Sequence, residues 1–69
     1  MSRMRVMLNG EPHTVADGHT VAQLVCDLGL TARRIAVEIN RDILAREDYA
    51  ACAIREGDAI EIVHFIGGG

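Results

Sequence analysis

The residues of this sequence with the clearest chemical potential are the three glycines at its end, Gly67, Gly68 and Gly69. Glycine loses more conformational entropy on ordering than any other residue, so packing does not account for such a run. A chain without Cβ atoms is slim enough to thread a narrow channel and carry a carboxylate into another protein's active site. That carboxylate is ionised at pH 7 and can attack the α-phosphate of ATP. We therefore expect Gly69 to be the reacting residue, Gly68 to permit entry and Gly67 to act as a linker.

Length and composition restrict what the rest of the chain can do. Its 69 residues make one small domain, which buries only about 60% of its unfolded surface and has no room for a deep substrate cleft. The net charge of −3 argues against a nucleic-acid partner, because phosphate binding depends on clustered Lys and Arg. No segment approaches the ~20 apolar residues of a membrane span. We expect a cytoplasmic protein that is not an enzyme and binds neither membrane nor nucleic acid.

The two cysteines, Cys26 and Cys52, are too few for a disulfide scaffold. No residues have the spacing of a metal site, and four cluster-ligating cysteines would be needed for an iron–sulfur centre. A redox or sulfur-relay role is conceivable for either thiol, but an incidental thiol is the plainer interpretation. We expect no metal.

A reacting tail needs a scaffold, and the hydrophobic pattern predicts one with a short hairpin at its start. Asn9-Gly10 is typical of a type I′ turn, in which both central residues have positive φ. A two-residue turn there places Val15 opposite Met4. Pro12 lacks an N–H donor, so the second strand is expected at the sheet edge. Alternation and turn signals place strands at 3–8, 11–16, 35–39, 42–44 and 59–66.

A helix is predicted between the second and third strands. Thr20 and Gln23 have the spacing of a capping box, in which each side chain bonds the other residue's backbone N–H. Gly29 stands where a helix favours a left-handed residue. The pattern predicts a helix of roughly nine residues with one apolar face, formed by Val21, Leu24, Val25 and Leu28.

This order of elements is typical of an α+β fold of the β-grasp (ubiquitin-like) class, a mixed sheet curled around one main helix. The crossover between the first and last strands predicts that they pair in parallel. The irregular segment 45–55 is expected to wrap the surface, anchored by Tyr49 and Ile54. The domain should span residues 1–66, with residues 67–69 as a flexible tail.

Together these motifs resemble the ThiS family, the sulfur carrier proteins of thiamine (thiazole) biosynthesis, over essentially the whole chain. The acidic-aliphatic last strand running into glycines is the most specific feature. The residues that carry the resemblance are Asn9-Gly10-Glu11, Thr20-Val21, Leu24-Val25, Leu28-Gly29-Leu30, Ala36-Val37-Glu38-Ile39-Asn40, Arg46, Tyr49, Glu56-Gly57-Asp58 and the closing segment 60–69.

The resemblance implies a reaction cycle carried out by partner enzymes. A ThiF-type adenylating enzyme would activate the Gly69 carboxylate with Mg·ATP, so the chain itself would hold no cofactor. A cysteine desulfurase or other sulfur donor would then convert the adenylate to a thiocarboxylate. Thiazole synthase (ThiG) would receive the sulfur.

The face of the last strand opposite its predicted core residues, Ile60 and Ile62, carries Val63 and Phe65. Met7 lies outward on the first strand. If the two strands pair, these apolar side chains form a candidate docking surface for the adenylating enzyme and the synthase. The alternative is that they are scattered exposed hydrophobic residues, which are normal.

Three other functions fit the same pattern. The small subunit of molybdopterin synthase shares the fold, the Gly-Gly end and the thiocarboxylate chemistry. A ubiquitin-like modifier would form an isopeptide bond through the same carboxylate. A β-grasp binding module would carry an inert tail.

Overall fold

The computed structural model describes residues 2–65. Its main elements are β1 Arg3–Leu8, β2 Glu11–Ala16, α1 Val21–Asp27, β3 Ile35–Ile39, β4 Asp42–Leu44 and β5 Ala59–His64. Short 3₁₀ turns occur at Ala32–Arg34 and Arg46–Asp48. The last strand is thus shorter than the predicted 59–66. The predicted domain boundary at Ile66 and the glycine tail 67–69 lie outside the described residues.

Within the described residues the five strands form one mixed sheet in the order β2-β1-β5-β3-β4. β1 and β5 pair in parallel, which confirms the predicted crossover. Met4 pairs with Val15 across the first hairpin, and β2 is an edge strand, as Pro12 predicts. Asn9 has a positive φ of 51° and Gly10 one of 82°, as the predicted turn requires.

The core lies between α1 and the inner face of the sheet and is almost entirely aliphatic. Tyr49 and Ile54, the predicted anchors of the irregular segment, are only 5% and 3% exposed. Among residues 2–65 no polar or charged residue is buried. The buried residues are Val6, Val15, Val21, Leu24, Val25, Ile35, Val37, Tyr49, Ile54, Ile60 and Ile62.

The helix begins as predicted but is shorter than expected. The Gln23 N–H donates to Thr20 Oγ1 (3.2 Å), and the Thr20 N–H donates to Gln23 Oε1 (2.8 Å), so the capping box is formed. The helix has seven residues, and Leu28 is its C-cap, 37% exposed, instead of a member of the buried stripe. The prediction for Leu28 was wrong because Gly29, at φ +73°, turns the chain away one residue later.

Candidate functional site

The strand that leads to the glycine tail is the central strand of the sheet. β5 lies between β1 and β3, and its inward residues Ile60 and Ile62 are 1% and 9% exposed, as predicted. Backbone pairing on two sides and burial on one face hold this strand firmly. The chain therefore approaches Gly67 from the best-anchored strand of the fold.

The start of β5 is fixed by Asn40, in the turn between β3 and β4. The Asn40 N–H donates to the Ala59 carbonyl at 2.7 Å, and Asn40 Oδ1 accepts from the Ala59 N–H at 3.0 Å. Asn40 Nδ2 also donates to Asp58 Oδ1 at 3.1 Å. Asn40 has a φ of 52°, a conformation that asparagine tolerates better than most residues.

A second turn asparagine contacts the same strand further along. The Asn9 N–H donates to the Ile60 carbonyl at 2.9 Å, and Asn9 Oδ1 accepts from the Ile62 N–H at 2.8 Å. Beyond this point, the Phe65 N–H donates to the Arg34 carbonyl at 2.8 Å on the β3 side. Sequence reasoning used Asn9 as a turn signal and both asparagines as marks of the family resemblance, and it missed these contacts with β5.

The structure brings together two of the three residues predicted for docking. Val63 lies on the outer face of β5 and Phe65 lies one residue past its end, and they are 56% and 62% exposed. Met7 is 40% exposed on the same face, but it pairs with Ala59, four residues before Val63. At ~3.3 Å per residue, Met7 is displaced by about 13 Å along the strand and does not lie beside Val63.

Sequence reasoning did not single out three further residues of this outer face. Ile43, on the edge strand β4, is 80% exposed and pairs with Glu38. Glu38 in turn pairs directly with Glu61 of β5. Like charges directly opposite each other destabilise a sheet. The outer face therefore combines an acidic pair at its centre with apolar side chains at its margins.

Neither cysteine lies on β5. Cys26 is exposed on the helix and Cys52 is half-buried in the irregular segment. Burial, with smaller effects of the Asp58 and Asp48 carboxylates, raises the pKa of the Cys52 thiol. A raised pKa keeps the thiol protonated and makes it a poor nucleophile. This environment does not favour a sulfur-relay role for Cys52.

Residues 2–65 contain neither a candidate metal centre nor a candidate membrane-spanning helix. No group of three or more His, Cys, Asp or Glu side chains in this part of the chain could hold a metal ion. None of the described helices has the length and apolar character needed to cross a membrane.

Comparison with known proteins identifies both a family and a fold. The ThiS family model matches residues 6–69. The crystal structure of the thiamine biosynthesis protein ThiS from Geobacter metallireducens superposes with a TM-score of 0.82 at 38% identity, covering 96% of this chain and all of that one. The predicted β-grasp class is thereby confirmed.

Curated relatives carry two kinds of name. The sulfur carrier protein ThiS of Bacillus subtilis is 38% identical over 53 residues, covering 77% of this chain and 80% of that protein. A thiazole synthase of Magnetococcus marinus is 46% identical over 66 residues, which is 96% of this chain but 20% of that protein. The chain thus spans about a fifth of the length of this synthase.

Proposed function

Because the chain belongs to the ThiS family, we propose that it is a sulfur carrier of thiamine biosynthesis, on which other enzymes act. The observation that supports this most is the position of β5. The central strand of the sheet, buried on one face and bonded on both edges, leads within a few residues to Gly67-Gly68-Gly69. Such a scaffold presents a slim backbone end to a partner.

The proposed chemistry takes place at the Gly69 carboxylate. A carboxylate oxygen attacks the α-phosphate of ATP in a ThiF-type enzyme, an acyl adenylate forms, and pyrophosphate leaves. The outer sulfur of a desulfurase persulfide, or sulfide from another donor, then attacks the carbonyl carbon, and AMP leaves as the C–S bond forms. When the donor is a persulfide, the product is an acyl disulfide, and a second thiol of the partner enzyme cleaves its S–S bond, becoming a disulfide itself and releasing the thiocarboxylate. The resulting thiocarboxylate is a softer and better nucleophile than the carboxylate. ATP and Mg²⁺ belong to the partner enzyme in this scheme.

Thiazole synthase is the proposed acceptor of the sulfur. The support for it is that a thiazole synthase contains a segment 46% identical to this chain. A carrier joined to its acceptor in one polypeptide has a high effective concentration at the acceptor's active site. A carrier and a synthase that are separate chains lack this covalent link, so they need a docking surface instead.

We assign that docking to the outer sheet face near the end of β5. Val63 and Phe65 offer exposed apolar area next to the outgoing chain, and Met7 extends the apolar margin at the other end of the strand. Apolar area placed beside the reacting end lets binding energy position the tail. The adenylating enzyme and the synthase would use this surface in turn.

Intact-mass spectrometry tests the proposal. The chain is incubated with a ThiF-type enzyme, Mg·ATP and a sulfur donor, beside a control lacking Gly69. The proposal requires replacement of one oxygen by sulfur in the full chain and no change in the control. High-mass adducts on other proteins would indicate a modifier, and an unchanged mass would indicate an inert tail. A native protein extended or blocked beyond Gly69 would also contradict it.

Co-purification separates the thiazole pathway from molybdopterin synthesis. A tagged chain should retain thiazole synthase from an extract, together with the adenylating enzyme. Retention of the large subunit of molybdopterin synthase instead would favour the alternative carrier.

A further inference from the structure

The parallel pairing of β1 with β5 is short. Two residue pairs define it, Met7 with Ala59 and Leu8 with Ile60. The Met7 N–H donates to the Asp58 carbonyl at 2.9 Å, and the Asn9 N–H donates to the Ile60 carbonyl at 2.9 Å. Bonds in a parallel ladder are evenly spaced and alternate between the two strands. The next bond in this series would join the Ile62 N–H to the backbone carbonyl of Asn9.

In the structure a side-chain carbonyl accepts this hydrogen bond instead of the backbone carbonyl. At Asn9 the chain enters the β1–β2 turn with φ +51° and leaves the line of the strand. The Ile62 N–H donates to Asn9 Oδ1 at 2.8 Å instead. Since Ile62 is only 9% exposed, its N–H depends on a partner within the protein. Asn9 thus extends the ladder by one bond past the end of β1.

We propose that Asn9 is a positioning residue for the tail, and this inference rests on the proposed carrier function. Its bond to Ile62 is the last that β5 receives from the β1 side in the described part of the chain. After it, the described support comes from the β3 side, through the pairs of Val63 with Ala36 and His64 with Ile35 and the bond from Phe65 to Arg34. The side-chain carbonyl of Asn9 therefore sets how far along β5 the strand is held on both edges.

Support on both edges bears on the direction of the segment that precedes the tail. A strand bonded on one edge alone can twist about that edge, so loss of the bond at Ile62 changes the direction of the backbone from Val63 to Phe65. Misplacement of a reacting atom by even ~1 Å can cost about a hundredfold in rate. Val63 and Phe65 lie on the same segment, so docking weakens as the chemical step slows.

Three substitutions separate this role from a general role in folding. Asn9→Gly removes the acceptor and keeps a residue suited to the positive φ of the turn. Asn9→Asp retains an acceptor oxygen and tolerates the same backbone conformation. Asn40→Gly is the matched control, because it removes an equivalent side-chain bond from the opposite end of β5, at Ala59.

The measurements are amide hydrogen exchange at Ile62 and steady-state adenylation kinetics with a ThiF-type enzyme. Asn9→Gly should exchange faster at Ile62 and lose about tenfold or more in kcat, with a higher KM because Val63 and Phe65 lie on the same segment. Asn9→Asp should restore both readouts. Asn40→Gly should lower the melting temperature and keep the wild-type kcat.

Any one of three results would overturn the proposal. They are a wild-type kcat in Asn9→Gly, a loss of kcat in Asn40→Gly equal to that in Asn9→Gly, and a failure of Asn9→Asp to restore the rate. Failure of the carrier function itself is distinguishable, because the wild-type chain would then not be adenylated. The hydrogen-exchange result stands independently of it.

Discussion

Phe65 provides the sharpest test of the docking surface, because it is the largest apolar side chain on the outer face and is 62% exposed. A phenylalanine buries on the order of 200 Å² when covered, so about 120 Å² remains for a partner to cover. At ~25 cal/mol/Å² that area corresponds to about 3 kcal/mol. An alanine keeps part of the contact, so Phe65→Ala should weaken docking by about 2 kcal/mol, roughly 30-fold in Kd.

The assay is isothermal titration of each variant into a ThiF-type enzyme without ATP. Ile43→Ala is the control, because Ile43 is even more exposed, at 80%, and lies on the same face but on the far edge strand β4. It should bind like the wild type. Both variants should unfold within about 0.5 kcal/mol of the wild type, as substitutions at exposed positions do. Wild-type affinity in Phe65→Ala, or an equal loss in both variants, would refute the assignment.

Three further predictions concern the tail, the acidic pair and the half-buried Cys52 thiol. Gly68→Val should fold normally but be adenylated roughly 5- to 150-fold more slowly, since added methyl groups in a filled channel cost about 1–3 kcal/mol; wild-type turnover would show that the channel is wide. Glu61→Gln should raise the free energy of unfolding in urea by about 0.5 kcal/mol at low salt, by removing the repulsion with Glu38, and a gain that persists in high salt would point to another cause. In iodoacetamide labelling near pH 8, the raised pKa of Cys52 delays thiolate formation to higher pH, so exposed Cys26 should react first; simultaneous labelling would contradict this order.

The local parts of this fold could be predicted from the sequence because their causes are local. A two-residue turn sets the pairing of Met4 with Val15, since the alternation of side chains allows only one register that keeps the apolar set inside. The capping box at Thr20 and Gln23 depends on residues three positions apart. Tyr49 was recognisable as an anchor because an aromatic side chain is rare in this composition.

The parts that could not be predicted depend on contacts between distant segments. No turn joins β1 to β5, so nothing local specified that Met7 pairs with Ala59, well before Val63. The bond from Ile62 to Asn9 joins residues 53 positions apart, and its acceptor is a side chain that the hairpin pattern already explained. Because the hairpin turn already accounts for Asn9, its second role becomes visible only when the pairing of β1 with β5 is known.

The alternation of β5 has a consequence for every experiment on this protein. Ile60 and Ile62 face the core, whereas Val63 and Phe65, just past the strand end, are exposed, so neighbouring positions serve folding and docking separately. An outward substitution can therefore abolish partner binding while the melting temperature stays constant. An inward substitution changes both at once, because it loosens the strand that carries the tail. Loss of sulfur loading is therefore evidence about docking only when the substituted residue faces outward.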